Sequence, residues 1–261
     1  MMTGRLINTM QDVVLLGASN LVLGWPAMMK ALQRLTAEPL RVNIATGMGR
    51  SYIKTSAFWF RQLPSILDCQ LWDHLPENSS RPPLVLITDV GNDIVYLYQP
   101  DQIAESVREC IRRVRTWRPD AKLVMTGLPL ASLLGVGGAR FVIARTILFP
   151  GCTLSRNDVI ERSQALDQLV RQIADDSEIG FVEPDPTWYG IDPIHVLSKH
   201  RIKAFCKYFD AFELPKSADV NTARQLTQIP LPTAAERTVF WRRKTVEQPA
   251  SSRPDLIVSA W

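Results

Sequence analysis

The chain has 261 residues, 46% of them hydrophobic and 21% charged, the proportions of a globular protein and not of a disordered or collagen-like one. That length buries a full core without staples and suits one large domain with an extension as well as two small ones. A formal net charge of +4 is too small to be a nucleic-acid footprint.

Residues 1–11 carry one arginine and no apolar run of signal-peptide length. No window approaches the ~18 uninterrupted apolar residues of a membrane span. Cys69, Cys110, Cys152 and Cys206 are scattered, with no C-x-x-C pair. Together these features predict a cytoplasmic protein with reduced thiols.

In chain order, Val13-Val14-Leu15-Leu16 is an unalternating aliphatic run ending on Gly17, the pattern of a strand buried on both faces. Residues 41–44 form a weaker second strand, residues 84–87 after Pro82-Pro83 the clearest, and residues 122–125 and 179–182 the fourth and fifth. Between them lie helical periods. One opens at Ser19 and runs through Trp25 to Leu35. In the next, Ile103, Val107, Ile111 and Val114 share a face while Arg108, Arg112 and Arg115 line a solvated one. A third carries Ile160, Ser163, Leu166, Leu169, Val170 and Ile173 with Asn157 as N-cap, and Ser198 opens the last, burying Ile202, Phe205, Cys206 and Phe209.

Strands alternating with helices imply βαβ crossovers. The expected class is α/β, a flavodoxin-like three-layer α/β/α sandwich with a central parallel sheet of about five strands. Two segments break the rhythm. Residues 128–152, with Gly135, Gly137 and Gly138, read either as a flap over a pocket or as a helix packed after a loose turn. From Pro215 onward, Pro230, Pro232, Pro249 and Pro254 and weak periodicity predict an extended tail that clasps the body through Phe240, Trp241 and Trp261.

In a doubly wound sheet, ligands sit at the carboxyl ends of the strands. The loops there carry Gly17-Ala18-Ser19-Asn20-Leu21, Gly47-Met48-Gly49-Arg50-Ser51, Asp89-Val90-Gly91-Asn92-Asp93 and Gly190-Ile191-Asp192-Pro193-Ile194-His195. A serine nucleophile needs a base, and His195 is the histidine near a strand end with a carboxylate close by. Asp192 is placed to hold its tautomer and to stabilise imidazolium. Amides of Ser19 and Gly49, with the Asn92 side chain, would supply an oxyanion hole at a helix N-terminus that favours negative charge. Each residue alone has a plainer role. Ser19 could be an N-cap, Gly47 and Gly49 turn residues, Asn92-Asp93 and Asp192-Pro193 turns, and His195 a half-buried structural histidine. Together on one sheet edge they point to acyl transfer.

These blocks resemble the SGNH (GDSL-like) hydrolases over residues 12–211, most specifically in Asp192-Pro193-Ile194-His195 followed by a helix, then in Gly91-Asn92-Asp93 after an apolar strand. The resemblance implies Ser19 as nucleophile, His195 as base, Asp192 as its orienting acid, and Ser19, Gly49 and Asn92 as oxyanion donors, with Gly47 as the other candidate in the second block. It also implies an SGNH-like domain over residues 1–212 and a proline-containing extension over 213–261. The chain departs from the family at Ala18, where an aspartate is usual, and at Val90, where a glycine is usual; neither position carries the chemistry.

The expected activity is hydrolysis of carboxylic esters or thioesters through an acyl-enzyme. It would act on a small-molecule substrate with no cofactor, metal or nucleic acid. Acyl transfer to a sugar or another alcohol stays open. A nucleotide site lacks G-x-G-x-x-G and an acid ending the second strand; an α/β-hydrolase elbow would need glycine at Leu21; His195 and His200 lack a third metal ligand. A non-catalytic binding module on the same fold is a further reading. Trp25, Phe58-Trp59-Phe60, Tyr96, Trp188 and Tyr189 are candidates to line an apolar pocket.

Overall fold

The computed structural model describes residues 10–135, 137–138, 151–214 and 229–261. In chain order the elements are β1 (Gln11–Leu16), α1 (Ser19–Leu35), β2 (Leu40–Ala45), β3 (Ser56–Phe58), β4 (Arg61–Leu63), β5 (Leu84–Ile87), α2 (Asn92–Val95), α3 (Pro100–Trp117) and β6 (Lys122–Thr126). They continue with α4 (Leu130–Leu134), α5 (Arg156–Asp176), β7 (Gly180–Val182), α6 (Arg201–Asp210), β8 (Glu236–Val239), β9 (Arg242–Thr245), β10 (Ser251–Arg253) and β11 (Leu256–Ala260).

Seven strands form the central sheet in the order β10-β11-β2-β1-β5-β6-β7. All run parallel except β10, which pairs antiparallel with β11 at the edge. The five strands expected from the aliphatic runs are all present. β1 shows why they form: all six of its residues are buried, and successive side chains enter opposite cores. Val14 and Leu16 pack with Val107 of α3 and Leu166 of α5. Val13 and Leu15 pack with Met28 of α1 and Phe205 of α6 on the other face. The result is three layers, α/β/α. On the α1 side the helices approach so closely that a Cβ on Gly24 would lie 2.3 Å from the Phe205 ring.

The C-terminal residues depart from the expected tail. Residues 256–260 join the central sheet beside β2, and β8 and β9 extend β3 and β4 into a second, four-stranded antiparallel sheet of order β3-β4-β8-β9. Trp261 is buried and stacks on His74 with ring centroids 4.4 Å apart; Phe240 and Trp241 are exposed, Phe240 stacking on Phe60 of the small sheet. Arg50, fully buried, bolts the parts together: its Nε donates to the Pro64 carbonyl at 3.1 Å and its Nη1 to the carbonyls of Thr46 and Trp261.

Other details shift by a residue or two. The cap of α5 is Ser155, in a capping box with Asp158, and not Asn157; serine there satisfies the Asp158 amide at 3.2 Å. The last helical stretch starts at Ser198 as a short 3-10 turn before α6. The four cysteines are unpaired. Of the glycine-dotted segment, residues 136 and 139–150 lie outside the described residues, so the flap reading falls largely there.

Candidate active site

Ser19 is the first residue of α1 and is buried. Its side chain does not cap the helix: the N-cap is Ala18, which has no side-chain cap bond. The cap comes instead from the loop after β5. Asp89 Oδ2 accepts the Ala18 and Asn20 amides at 2.9 and 3.0 Å, and its Oδ1 accepts Asn20 Nδ2 at 2.8 Å. A carboxylate at a helix N-terminus is favoured by the exposed amides and the helix dipole. Asp89 holds this position at a φ of 60°, a conformation that aspartate tolerates better than most residues. With the cap supplied from outside, the Ser19 hydroxyl is free to face elsewhere.

It faces His195. The Ser19 Oγ lies 2.8 Å from His195 Nε2, and His195 Nδ1 lies 2.5 Å from Asp192 Oδ2. The other Asp192 oxygen accepts the amides of Ile194 and His195 at 3.0 and 3.2 Å, a local turn that presents the carboxylate to the ring. Burial works to raise the Asp192 pKa, but the bond from His195, its charge and the two amides outweigh that and leave it below the usual carboxylate value. The loop is docked by Asn20, whose Nδ2 donates to the Ile194 carbonyl and whose Oδ1 accepts the Val196 amide, each at 2.9 Å. Asn20 and Asp89 thus tie three strand ends into one unit. Sequence reasoning passed over both. The available signal was an aspartate directly after the β5–Thr88 run, on the same edge where Ala18 lacks the usual carboxylate.

The third loop adds Asn92, at the start of α2, half-buried, with Nδ2 3.5 Å from the Arg50 carbonyl. Asn92 and Ser19 line the same cavity, whose apolar walls include Ile94, Leu128, Leu133, Val159 and Tyr189. The second loop contributes less directly. Gly49 takes a φ of 63°, which glycine adopts without a Cβ clash, and its carbonyl accepts the Tyr96 hydroxyl at 2.6 Å. Neither Gly47 nor Gly49 is among the residues walling the cavity. Among the aromatic candidates only Tyr189 lines it: Trp25 and Trp188 are core, and Trp59 and Phe60 are exposed on the small sheet.

Beneath the loops, Asp93 is fully buried, accepting the Ser51 hydroxyl and the Tyr52 amide. It staples the loop after β2 to the turn that carries Asn92. Burial pushes its carboxyl up to about 6, against those hydrogen bonds.

The geometry is a serine hydroxyl, an imidazole and a carboxylate, each within hydrogen-bond distance of the next, beside an apolar cavity. The fold is similar to that of a carbohydrate esterase family 2 enzyme with a carbohydrate-binding domain from Corynascus thermopiles (Myceliophthora fergusii): TM-score 0.50, 13% identity, over 77% of this chain and 65% of that one. Two further structures align: a member of the lipolytic G-D-S-L family from Veillonella parvula DSM 2008 (TM-score 0.49, 10% identity, 78% and 97% covered) and a carbohydrate esterase family 3 protein from Talaromyces cellulolyticus (TM-score 0.45, 12% identity, 78% and 96% covered). No protein-family model matches the sequence, and no curated protein matches it.

Proposed function

We propose that the chain is an SGNH-type serine hydrolase that cleaves carboxylic esters or thioesters through an acyl-enzyme. The observation that carries the reading is the unbroken chain from Ser19 Oγ to His195 Nε2 at 2.8 Å and from His195 Nδ1 to Asp192 Oδ2 at 2.5 Å. Ser19 attacks the acyl carbon while His195 Nε2 takes its proton, and Asp192 stabilises the imidazolium without taking that proton. The oxyanion that forms meets the Ser19 amide, which as the first helical residue has no intrahelical acceptor. The Asn92 amide, which lines the same cavity as Ser19, is the second donor of the hole. As the tetrahedral species collapses, His195 returns the proton to the departing alcohol or thiol. Water then repeats the sequence on the acyl-enzyme and releases the acid.

The cavity walls favour an apolar acyl group, held by Leu128, Leu133 and Val159. An ester bond is also the substrate class in the name of the Corynascus thermopiles protein of similar fold. The test is covalent labelling. A fluorophosphonate should modify the intact chain at Ser19 alone, and Ser19→Ala should take up no label and lose up to ~10⁶ in kcat on nitrophenyl esters. Labelling at another serine, or turnover surviving in Ser19→Ala, would remove the nucleophile and the mechanism with it.

A further inference from the structure

The two hairpins of the small sheet end side by side. β4 pairs antiparallel with β8, Arg61 opposite Val239, so the β3–β4 and β8–β9 turns lie at the same end. The Phe240 N–H donates to the Phe60 carbonyl at 3.1 Å, and the two rings stack with centroids 4.6 Å apart. That end presents four large aromatics to solvent: Trp59 is 83%, Phe60 53%, Phe240 59% and Trp241 90% exposed. Single exposed apolar residues need no explanation, but a contiguous cluster marks an interaction site. Trp59, Phe240 and Trp241 also hold positive φ, at 57°, 47° and 62°, a conformation that is costly for bulky side chains.

Behind the aromatics stand cations. Residues 56–63 and 236–245 carry Arg61, Arg237, Arg242, Arg243 and Lys244 against a single acid, Glu236. Arg61 and Arg242 directly follow the tips, and the β8–β9 register sets Arg243 one row back and Arg237 with Lys244 the next. At ~3.3 Å per row, this collar extends about 7–10 Å from the tips. Glu236, paired with Arg243 at 2.7 Å, sits at the far end of β8. Partial burial, with the charge of Arg237 beside it, lowers the Arg61 pKa, as expected where like charges crowd.

We propose that this end of the molecule is a docking surface for a phospholipid bilayer bearing anionic headgroups. Trp and Phe rings favour the boundary between headgroups and acyl chains, and Arg and Lys behind them reach phosphate depth. The charge pattern selects this occupant over two others. A symmetric contact with a second copy would set the same five cations against each other. A single-stranded nucleic acid needs open ring faces along a groove, whereas Phe60 and Phe240 use a face on one another at a protruding edge. No helix among the described residues is long and apolar enough to cross a membrane; the docking proposed is that of the exposed tip alone. The inference does not depend on the proposed ester chemistry, since none of these residues lines the Ser19 cavity.

The test is flotation of the full chain with vesicles of phosphatidylcholine alone and of equimolar phosphatidylcholine and phosphatidylglycerol. Binding should occur to the second only and weaken as salt is raised. Tryptophan emission should shift to the blue and be quenched by brominated acyl chains. The Trp59→Ala/Trp241→Ala variant should lose at least ~10-fold in partitioning, and Arg242→Gln/Lys244→Gln about fivefold for each charge removed. Thermal melts of both should match the parent, because the altered side chains are exposed. Failure to bind the mixed vesicles, or binding indifferent to the tryptophans, would overturn the proposal. So would tip-dependent binding of a single-stranded oligonucleotide without vesicle binding, or tip-dependent dimers without lipid.

Discussion

The carboxyl edge of the central sheet and the tip of the small sheet both hold residues at positive φ, Asp89 and Gly49 in the first, Trp59, Phe240 and Trp241 in the second. They hold them by different means. Asp89 is fixed by three hydrogen bonds from Ala18 and Asn20, and its neighbours Ser19 and Asp93 are buried. The tip is fixed by the Phe240–Phe60 backbone bond at the end of the strand ladder and by two stacked pairs, Phe60–Phe240 and Phe58–Trp59, and Trp59, Phe60, Phe240 and Trp241 are exposed. The first region holds its positive-φ aspartate under a network of hydrogen bonds. The second spends its strain on display. Catalysis needs preorganisation, while adhesion to a soft surface needs area and charge; substitutions should therefore act on different measurements in the two regions.

The largest effect belongs to Asp192. Asp192→Asn keeps a hydrogen-bonding group beside His195 but favours the wrong tautomer, which costs up to ~10⁴ in kcat in the serine-protease template. The side chain is 48% exposed, so the melt should change little. A variant with full turnover would move the orienting acid elsewhere. Next comes Asn92→Ala, expected to cost about 10²–10³ in kcat with KM nearly constant, because an oxyanion donor acts mainly in the transition state. A lowered melt with kcat intact would return Asn92 to a turn role.

Asp89→Asn sharpens the comparison further. The new amide would face the Ala18 and Asn20 donors it now accepts from, leaving buried N–H groups unpaired at a cost of about 1–3 kcal/mol. As a positioning residue for Ser19, Asp89 should also take about 10–10² from kcat, and KM should rise less than kcat falls. Trp59→Ala, equally a substitution at positive φ, should leave kcat and the melt within error. If both variants behaved alike, the contrast between a buried and a displayed strain would fail.

The sequence shows these regions unequally, for physical reasons. β1 and β5 are legible because strands buried on both faces carry unbroken apolar runs, Val13–Leu16 and Leu84–Ile87, while β2 is weaker because Arg41 and Asn43 interrupt it. The serine, asparagine and Asp-x-x-His blocks stand out because they follow such runs at one edge. β9 has no such signature: Arg242-Arg243-Lys244-Thr245 is exposed throughout and is a strand only because β8 pairs with it. β11 is apolar, yet only five residues long behind Pro254, and its place depends on the free edge of β2, a partner more than two hundred residues away. Asp89 was hidden for a similar reason. Its type suits a turn, and its role emerges only when the β1 and β5 ends lie side by side.

Asp93 gives the smallest and most specific effect, one visible in stability and not in turnover. Burial pushes its carboxyl up to about 6, whereas in the unfolded chain an aspartate titrates near ~3.9. Between those values the folded protein keeps a proton that the unfolded chain has released, so stability falls as pH rises through that window. For a shift of this size the loss is on the order of 2 kcal/mol. Asp93→Asn stays neutral at every pH and lacks the slope. Its amide cannot accept both the Ser51 hydroxyl and the Tyr52 amide, which lowers its stability by an amount independent of pH. Relative to the parent it should therefore be weakest near pH 4 and recover toward pH 7. Asp192 does not confuse the window. Its lowered pKa has the opposite sign, contributing stability that is complete above the unfolded value and lost only as pH falls below it. Denaturant midpoints for both proteins across this range decide the matter. Parallel curves would mean that Asp93 is charged throughout, and that the staple between the β2 loop and Asn92 is an ion held by Ser51 and Tyr52 instead of a buried neutral acid.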